Sequence, residues 1–177
     1  MPAVTFTVPV TFTKPLPLNV APVLLFNVNV DYSIIITQEE MHTALNDPEI
    51  IILDCRDHAE WVAISSSPYG PDFAPRKGRI PGAIWIEWYN AMHYVDSIPW
   101  FKEPEELKRI YAKAGITEKS KVFIYCFKGA RTSNTFIAMK MAGIKNVRNY
   151  LGSWNEWSRD FSLPIERGYP RASKIDL

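Results

Sequence analysis

The sequence predicts an α/β fold, with a mostly parallel sheet of about five strands and helices on both faces. Three observations predict it. Short runs of branched apolar residues recur along the chain, segments with helix-start and helix-stop signals separate them, and the connections are short. At 177 residues the chain is close to one ordinary domain and long enough to bury a core without disulfides.

Each element has its own signals. Ile34-Ile35-Ile36 reads as a short strand. Thr37 is the N-cap of a helix from Gln38 to about Asn46, with Glu40 at the capping-box position and Pro48 beyond its end. Ile50–Leu53 is a buried strand running into Asp54-Cys55-Arg56, and a helix is expected near His58–Ile64. Ser65–Arg79 is a loop rich in Ser, Pro and Gly; its Arg76, Lys77 and Arg79 are expected on a solvated surface, with anion collection as the alternative. Ala83–Ile86 is a strand. Pro104 suits the first turn of a helix running to Ala114, with Gly115 as its cap. Lys121–Tyr125 is a strand, Arg131–Ala142 a helix closed by Gly143, and Val147–Leu151 the last strand. Ser153 then opens a tryptophan-rich helical turn.

Residues 1–30 stand apart from this pattern as a proline-rich N-terminal extension of the domain at 31–177. Val4, Phe6, Val8, Val10 and Phe12 alternate with other residues at the period of a strand. Pro9 has no N–H to donate, which restricts such a strand to an edge or a bulge. Left in water, the apolar row is an aggregation hazard. Two arrangements answer that hazard: an arm packed on a second copy, making a homodimer, or an arm folded onto its own domain. Simple disorder is the third alternative.

Charge excludes several functions. Lys and Arg number 20 against 19 Asp and Glu, so neither a generic nucleic-acid binder nor a polybasic membrane-surface protein is expected. No apolar stretch approaches the ~20 residues of a membrane span. The first residues lack a cationic n-region, and prolines interrupt their apolar stretches. With only two cysteines, Cys55 and Cys126, there is no disulfide framework, and a cytoplasmic, reducing location is expected. His42, His58 and His93 show no metal-ligand spacing, and no P-loop or dinucleotide fingerprint is present. No metal and no cofactor are expected.

One stretch carries chemistry: "YCFKGARTS", Tyr125–Ser133. Cys126 stands at the end of a buried strand and just before a helix, where backbone amides point outward and ligands bind in such sheets. The thiolate is the nucleophile, and a free cysteine titrates near ~8.5. Lys128, Arg131, the loop amides and the helix start all favour the anion. One unit charge at ~5 Å in an effective dielectric of ~20 contributes roughly 3 kcal/mol, about two pKa units. Cys55, beside a buried strand, is expected to behave as a small hydrophobe; a resolving thiol is the minority alternative. Trp154 and Trp157 share a helical face and are expected in the core, with Trp154 as an alternative pocket wall.

With these residues the chain resembles the rhodaneses, the thiosulfate sulfurtransferases. The resemblance covers about residues 32–168. "LDCRDHAEW" (Leu53–Trp61) resembles the Asp-x-Arg strand end that opens these domains. "GRIPGAIWI" (Gly78–Ile86) resembles their Gly-His-Ile-Pro-Gly-Ala signature, with Arg79 for the usual His. "YCFKGARTS" is similar to the active-site loop, and "GSWNEW" (Gly152–Trp157) to the segment after the last strand in the catalytic half of two-domain members.

The resemblance implies a rhodanese-like three-layer fold and a two-step covalent scheme. Cys126 would take the sulfane sulfur of a donor as a persulfide and pass it to cyanide or a thiol. The loop Phe127, Lys128, Gly129, Ala130, Arg131 would cradle that persulfide with its amides, Gly129 supplying backbone freedom. Lys128 would hold the donor's sulfonate, and the Ser153 hydroxyl would face the sulfur. Arg56 is carried over as a substrate contact, with a salt bridge to Asp54 as the plainer reading. Glu60 stands where some two-domain members have a second arginine, and is expected to pair with Arg131. Members that prefer mercaptopyruvate resemble Cys-Gly-Ser-Gly, so thiosulfate is the expected donor. Two alternatives remain open. Related phosphatases have a loop one residue longer, suited to a phosphoryl group, and inactive rhodanese-like domains serve as binding modules, usually without the cysteine.

Overall fold

The computed structural model describes residues 31–169, and the unit that carries the site begins at Ser33. The apolar row from Val4 to Phe12, and with it the expected dimer arm, lies outside the described residues.

The elements follow in chain order as β1 (Ile35–Ile36), α1 (Gln38–Ala44), β2 (Ile50–Asp54), α2 (His58–Trp61), β3 (Ile84–Trp85), β4 (Met92–Val95), β5 (Ile98–Phe101), α3 (Pro104–Lys113), β6 (Lys121–Tyr125), α4 (Ala130–Met141), β7 (Asn146–Tyr150) and α5 (Ser153–Trp157). Five strands form one parallel sheet in the order β1-β7-β6-β2-β3. The expected α/β architecture is therefore present.

Two cores flank the sheet because successive residues of a strand point to opposite faces. On β6, Val122 and Ile124 enter one core with Leu107 and Tyr111 of α3 and Ala138 and Met139 of α4. Phe123 and Tyr125 enter the other, with Met41 of α1, Trp61 of α2 and Trp154 and Trp157 of α5. On β2, Ile52 and Leu53 divide in the same way. Thr37 caps α1 as expected: its hydroxyl accepts the Glu40 N–H at 3.1 Å, and the Glu40 carboxylate accepts the Thr37 N–H at 2.8 Å.

The structure departs from the expected pattern at three places. The helix near His58–Ile64 stops at Trp61, because Ala63 adopts a left-handed backbone (φ 68°) and the chain turns. An alanine there gives no warning in the sequence. A hairpin, β4–β5, was not expected at all; it turns through Asp96 and Ser97, both with positive φ (49° and 65°). Such a turn is announced by Asn-Gly or Asp-Gly, and the serine together with Pro99 hides it.

The third correction concerns the arginines of the 65–79 loop. Arg76 and Arg79 are neither solvated nor open to anions, being 9% and 2% exposed. Arg76 donates to the carbonyls of Trp157 (2.6 Å), Ser158 (2.8 Å), Leu163 (2.8 Å) and Asp160, which closes the carboxyl end of α5. Arg79 lies 4.3 Å over the Trp61 ring and pairs with Glu166 at 3.1 Å. Lys77 pairs with Asp72. No helix among the described residues is long and apolar enough to cross a membrane.

Candidate active site

The chain leaves β2 through α2 toward the core containing Trp61, and leaves β6 through α4 toward the opposite core. The two diverging connections open a crevice beyond the strand ends, where sheets of this kind bind ligands. Cys126 lies there, one residue past β6, at a cavity of about 210 Å³. Phe127, Lys128, Ala130 and Arg131 form one wall, and Tyr69, Trp88 and Tyr89 another.

The loop takes its shape from the residues beneath it. The carbonyls of Cys126 and Phe127 accept the N–H groups of Trp154 (3.0 Å) and Asn155 (2.9 Å) in α5. With those carbonyls turned away, loop amides face the sulfur, and the Gly129 N–H donates to the Cys126 Sγ at 3.2 Å. Gly129 reaches this position with a left-handed backbone (φ 84°), and a Cβ there would press on Leu151 at 3.1 Å. The Gly129 carbonyl is in turn covered by the hydroxyls of Thr132 (2.6 Å) and Ser133 (3.1 Å).

Ser153 holds the loop from the other side. Its hydroxyl accepts the Cys126 N–H at 3.1 Å, donates to the Tyr150 carbonyl at 2.7 Å, and lies 4.0 Å from the sulfur. Its own backbone is left-handed (φ 53°), which costs a residue with a Cβ about 1–2 kcal/mol. A glycine would relieve that strain and lose the hydroxyl.

These surroundings decide the state of the thiol. Burial is the largest influence on Cys126 and opposes its ionisation. The Cys55 thiol, the Thr132 amide, the Arg131 charge and the Lys128 amide together outweigh burial and bring the pKa down to about 5. At neutral pH the sulfur is a thiolate. Cys55 is the residue after Asp54, which pairs with Tyr125 across β2 and β6, so the two cysteines are neighbours at the strand ends. Its own pKa is pushed well up, first by burial and then by the neighbouring Cys126, and its one S–H donates to the Tyr125 carbonyl at 3.3 Å.

Arg131 lines the cavity, but its charge is engaged. Glu60 grips it at 2.7 and 3.0 Å, and Asp57 adds a contact at 3.0 Å. Burial raises the Glu60 pKa despite that pairing. Lys128 is exposed and has no carboxylate partner among the described residues, so it is the cation the cavity can offer to a ligand.

Arg56 is placed elsewhere. It is fully buried, bound to Asp54 at 2.6 Å and to the Gly78 carbonyl at 2.8 Å, and stacked 4.8 Å over Trp154. The Tyr125 hydroxyl donates to the same Asp54 carboxylate at 2.6 Å and accepts the Ile80 N–H. Arg56 and Trp154 do not line the cavity. The substrate contact expected of Arg56 gives way to the salt bridge, and Trp154 belongs to the core.

Comparison with known proteins shows the family. The rhodanese-like domain family matches residues 37–160. The chain belongs to the rhodanese family. It is 32% identical over 139 residues to a putative thiosulfate sulfurtransferase of Mycolicibacterium smegmatis, covering 78% of this chain and 49% of that protein. It is 38% identical over 101 residues to the sulfur carrier protein TtuD of Thermus thermophilus, covering 56% of this chain and 34% of that one. This rhodanese thus spans about half the length of the first relative or less. Among solved structures it resembles EanB in complex with ergothioneine, with a TM-score of 0.69 and 28% identity over 78% of this chain and 33% of that one. Another EanB structure holds ergothioneine linked to a cysteine persulfide.

The rhodanese site also contains residues that the sequence reading missed. Asp57 caps α2 and reaches Arg131; its signal was the Asp-x-x-Glu spacing to Glu60, a capping box. Tyr69 comes from a loop that reads only as polar connection, and Trp88 follows a strand end with no motif of its own. A larger cavity of about 390 Å³ between Lys108 and Ile144 contains no cysteine, histidine or serine in its walls.

Proposed function

We propose that this rhodanese is a sulfurtransferase, moving a sulfane sulfur from thiosulfate, or a related donor, to a thiophilic acceptor such as cyanide or a thiol. Cys126 is the nucleophile and Lys128 holds the donor's anionic end. The observation that carries the reading is the Cys126 sulfur facing the Gly129 N–H at 3.2 Å at a cavity of about 210 Å³, in surroundings that lower its pKa. The relatives named as putative thiosulfate sulfurtransferases support it, as do the sulfur carrier and the EanB persulfide.

In the first step the Cys126 thiolate attacks the outer sulfur of thiosulfate. A new S–S bond forms, the donor's S–S bond breaks, and sulfite departs with the electron pair. The persulfide left behind is an anion in the same ring of amides, so both states of the loop are held by the same donors. In the second step the acceptor's lone pair attacks the outer sulfur, and the bond to Cys126 breaks. With cyanide the product is thiocyanate, and the thiolate returns without net proton transfer.

Steady-state production of thiocyanate from thiosulfate and cyanide tests the reading. Wild-type protein should turn over, and Cys126→Ser should lose all but a trace while keeping its melting temperature. Retained turnover in that variant would overturn the assignment of the nucleophile.

A further inference from the structure

The loop Ser65–Arg79 is a built object rather than slack connection. The Ser66 hydroxyl accepts the Ala74 N–H at 2.8 Å, and the Ser66 N–H donates to the Pro71 carbonyl at 2.8 Å. The Ser67 hydroxyl accepts the Tyr69 N–H at 3.0 Å and donates to the Gly70 carbonyl at 3.1 Å. Both serines are buried. Pro68, Pro71 and Pro75 further limit the freedom the loop would have when unfolded. The polar residues that make this stretch look like a linker are the ones that fix it.

What the loop delivers is a triangle of rings at the mouth of the Cys126 cavity. Tyr69 lies 5.4 Å from Phe73 and 5.6 Å from Phe127, and Phe73 lies 5.8 Å from Phe127, all at the tilted or edge-on angles that aromatic pairs prefer. Phe127 is part of the nucleophile's own loop and is buried, whereas Tyr69 is 55% exposed. Over the Tyr69 ring, 4.5 Å from its centre, stands the Lys128 ammonium. That is within the range at which a ring face attracts a cation. A lysine on an exposed loop otherwise spreads its charge over many rotamers, because its four-carbon stem is flexible.

We propose that Tyr69 is a positioning residue: its ring holds the Lys128 ammonium at the mouth of the Cys126 cavity and so sets the site's preference for anionic reagents. The proposal deepens the function proposed above and rests on it for the identity of the donor. The preference itself is readable without sulfur transfer. Phe73 and Phe127 brace the ring, and the serine-proline loop fixes its height. With Arg131 committed to Glu60 and Asp57, the attraction of an incoming anion falls to Lys128, and its strength depends on where that ammonium rests.

The test is alkylation of Cys126 by iodoacetate, an anion, and by iodoacetamide, its neutral counterpart, with the modified residue assigned by peptide mass. Both reagents need the same thiolate, so the ratio of their rates cancels any change in ionisation or fold and reports charge at the cavity mouth. Tyr69→Leu should lower the iodoacetate preference about twofold to fivefold, the range expected for one exposed cation–ring contact. Tyr69→Gln should do the same, and Tyr69→Phe should retain the wild-type ratio because the ring face remains. Lys128→Ala should lower the ratio at least as far, and Tyr69→Leu should lower it no further in that background. An unchanged ratio in Tyr69→Leu and Tyr69→Gln, a Tyr69→Phe variant as impaired as those two, or a further fall in the double variant overturns the proposal. A wild-type protein that prefers iodoacetate but transfers no sulfur from thiosulfate would overturn the sulfurtransferase reading alone.

Discussion

Glu60 holds both terminal nitrogens of Arg131, at 2.7 and 3.0 Å, and so fixes the side chain that ends the loop after Cys126. The pair is a support for the loop that begins at Cys126. It ties the start of α4 to α2, and with it the two connections that open the crevice.

Breaking that pair should be costly and removing it whole should not. The Glu60 side chain is 2% exposed, and burial lifts its pKa even against Arg131, so the pairing does not fully offset the loss of water. Glu60→Leu alone should destabilise the protein by about 3 kcal/mol in urea unfolding, the low end for a broken buried pair, because it leaves the arginine only its single contact with Asp57. Glu60→Leu combined with Arg131→Met should lose clearly less than the sum of the single variants. Additive losses would mean that the two side chains act independently.

The thiolate state of Cys126 predicts a pH profile. Its pKa is lowered, so the reactive form is present above that value and is lost as the pH falls through it. The rate of Cys126 alkylation by iodoacetamide should rise with a midpoint near 5 and be level at neutral pH. A midpoint near the ordinary ~8.5 of a free cysteine would show that the loop does not stabilise the anion.

Gly129 links backbone conformation to reactivity. Its left-handed backbone presents its N–H to the sulfur, and a methyl group there would press on Leu151 at 3.1 Å. Gly129→Ala should lower stability by about 1–2 kcal/mol. The same variant should move the alkylation midpoint upward, as the amide is displaced from the sulfur. A loss of stability with an unmoved midpoint would separate the glycine's structural role from any part in holding the anion.

Much of this was legible in the sequence, for identifiable reasons. The sheet declared itself through branched runs such as Ile50–Leu53 and Val122–Ile124, which are apolar on both faces because both faces are covered. Cys126 and its loop were legible because their chemistry is local: strand end, glycine, cations and helix start lie within a few residues. What was hidden depends on tertiary partners. Arg76 and Lys77 are adjacent and both cationic, yet one is buried against the carbonyls around α5 and the other pairs with Asp72. Nothing in their own neighbourhood distinguishes them, because the carbonyls that receive Arg76 lie more than eighty residues away. Tyr69 was hidden for the same reason: its partners Phe127 and Lys128 join it only in the fold. The hairpin at Asp96-Ser97 was hidden by chemistry instead, since those residues adopt positive φ without the glycine that normally announces it.

The central claim is that Cys126 carries the transferred sulfur, and peptide mass spectrometry reads it directly. Protein treated with thiosulfate and then freed of it should gain one sulfur atom on the peptide containing Cys126 and none on the peptide containing Cys55. Addition of cyanide should remove that atom and release an equal amount of thiocyanate. A Cys126 peptide of unchanged mass after thiosulfate, or an added sulfur found on Cys55, would contradict the account.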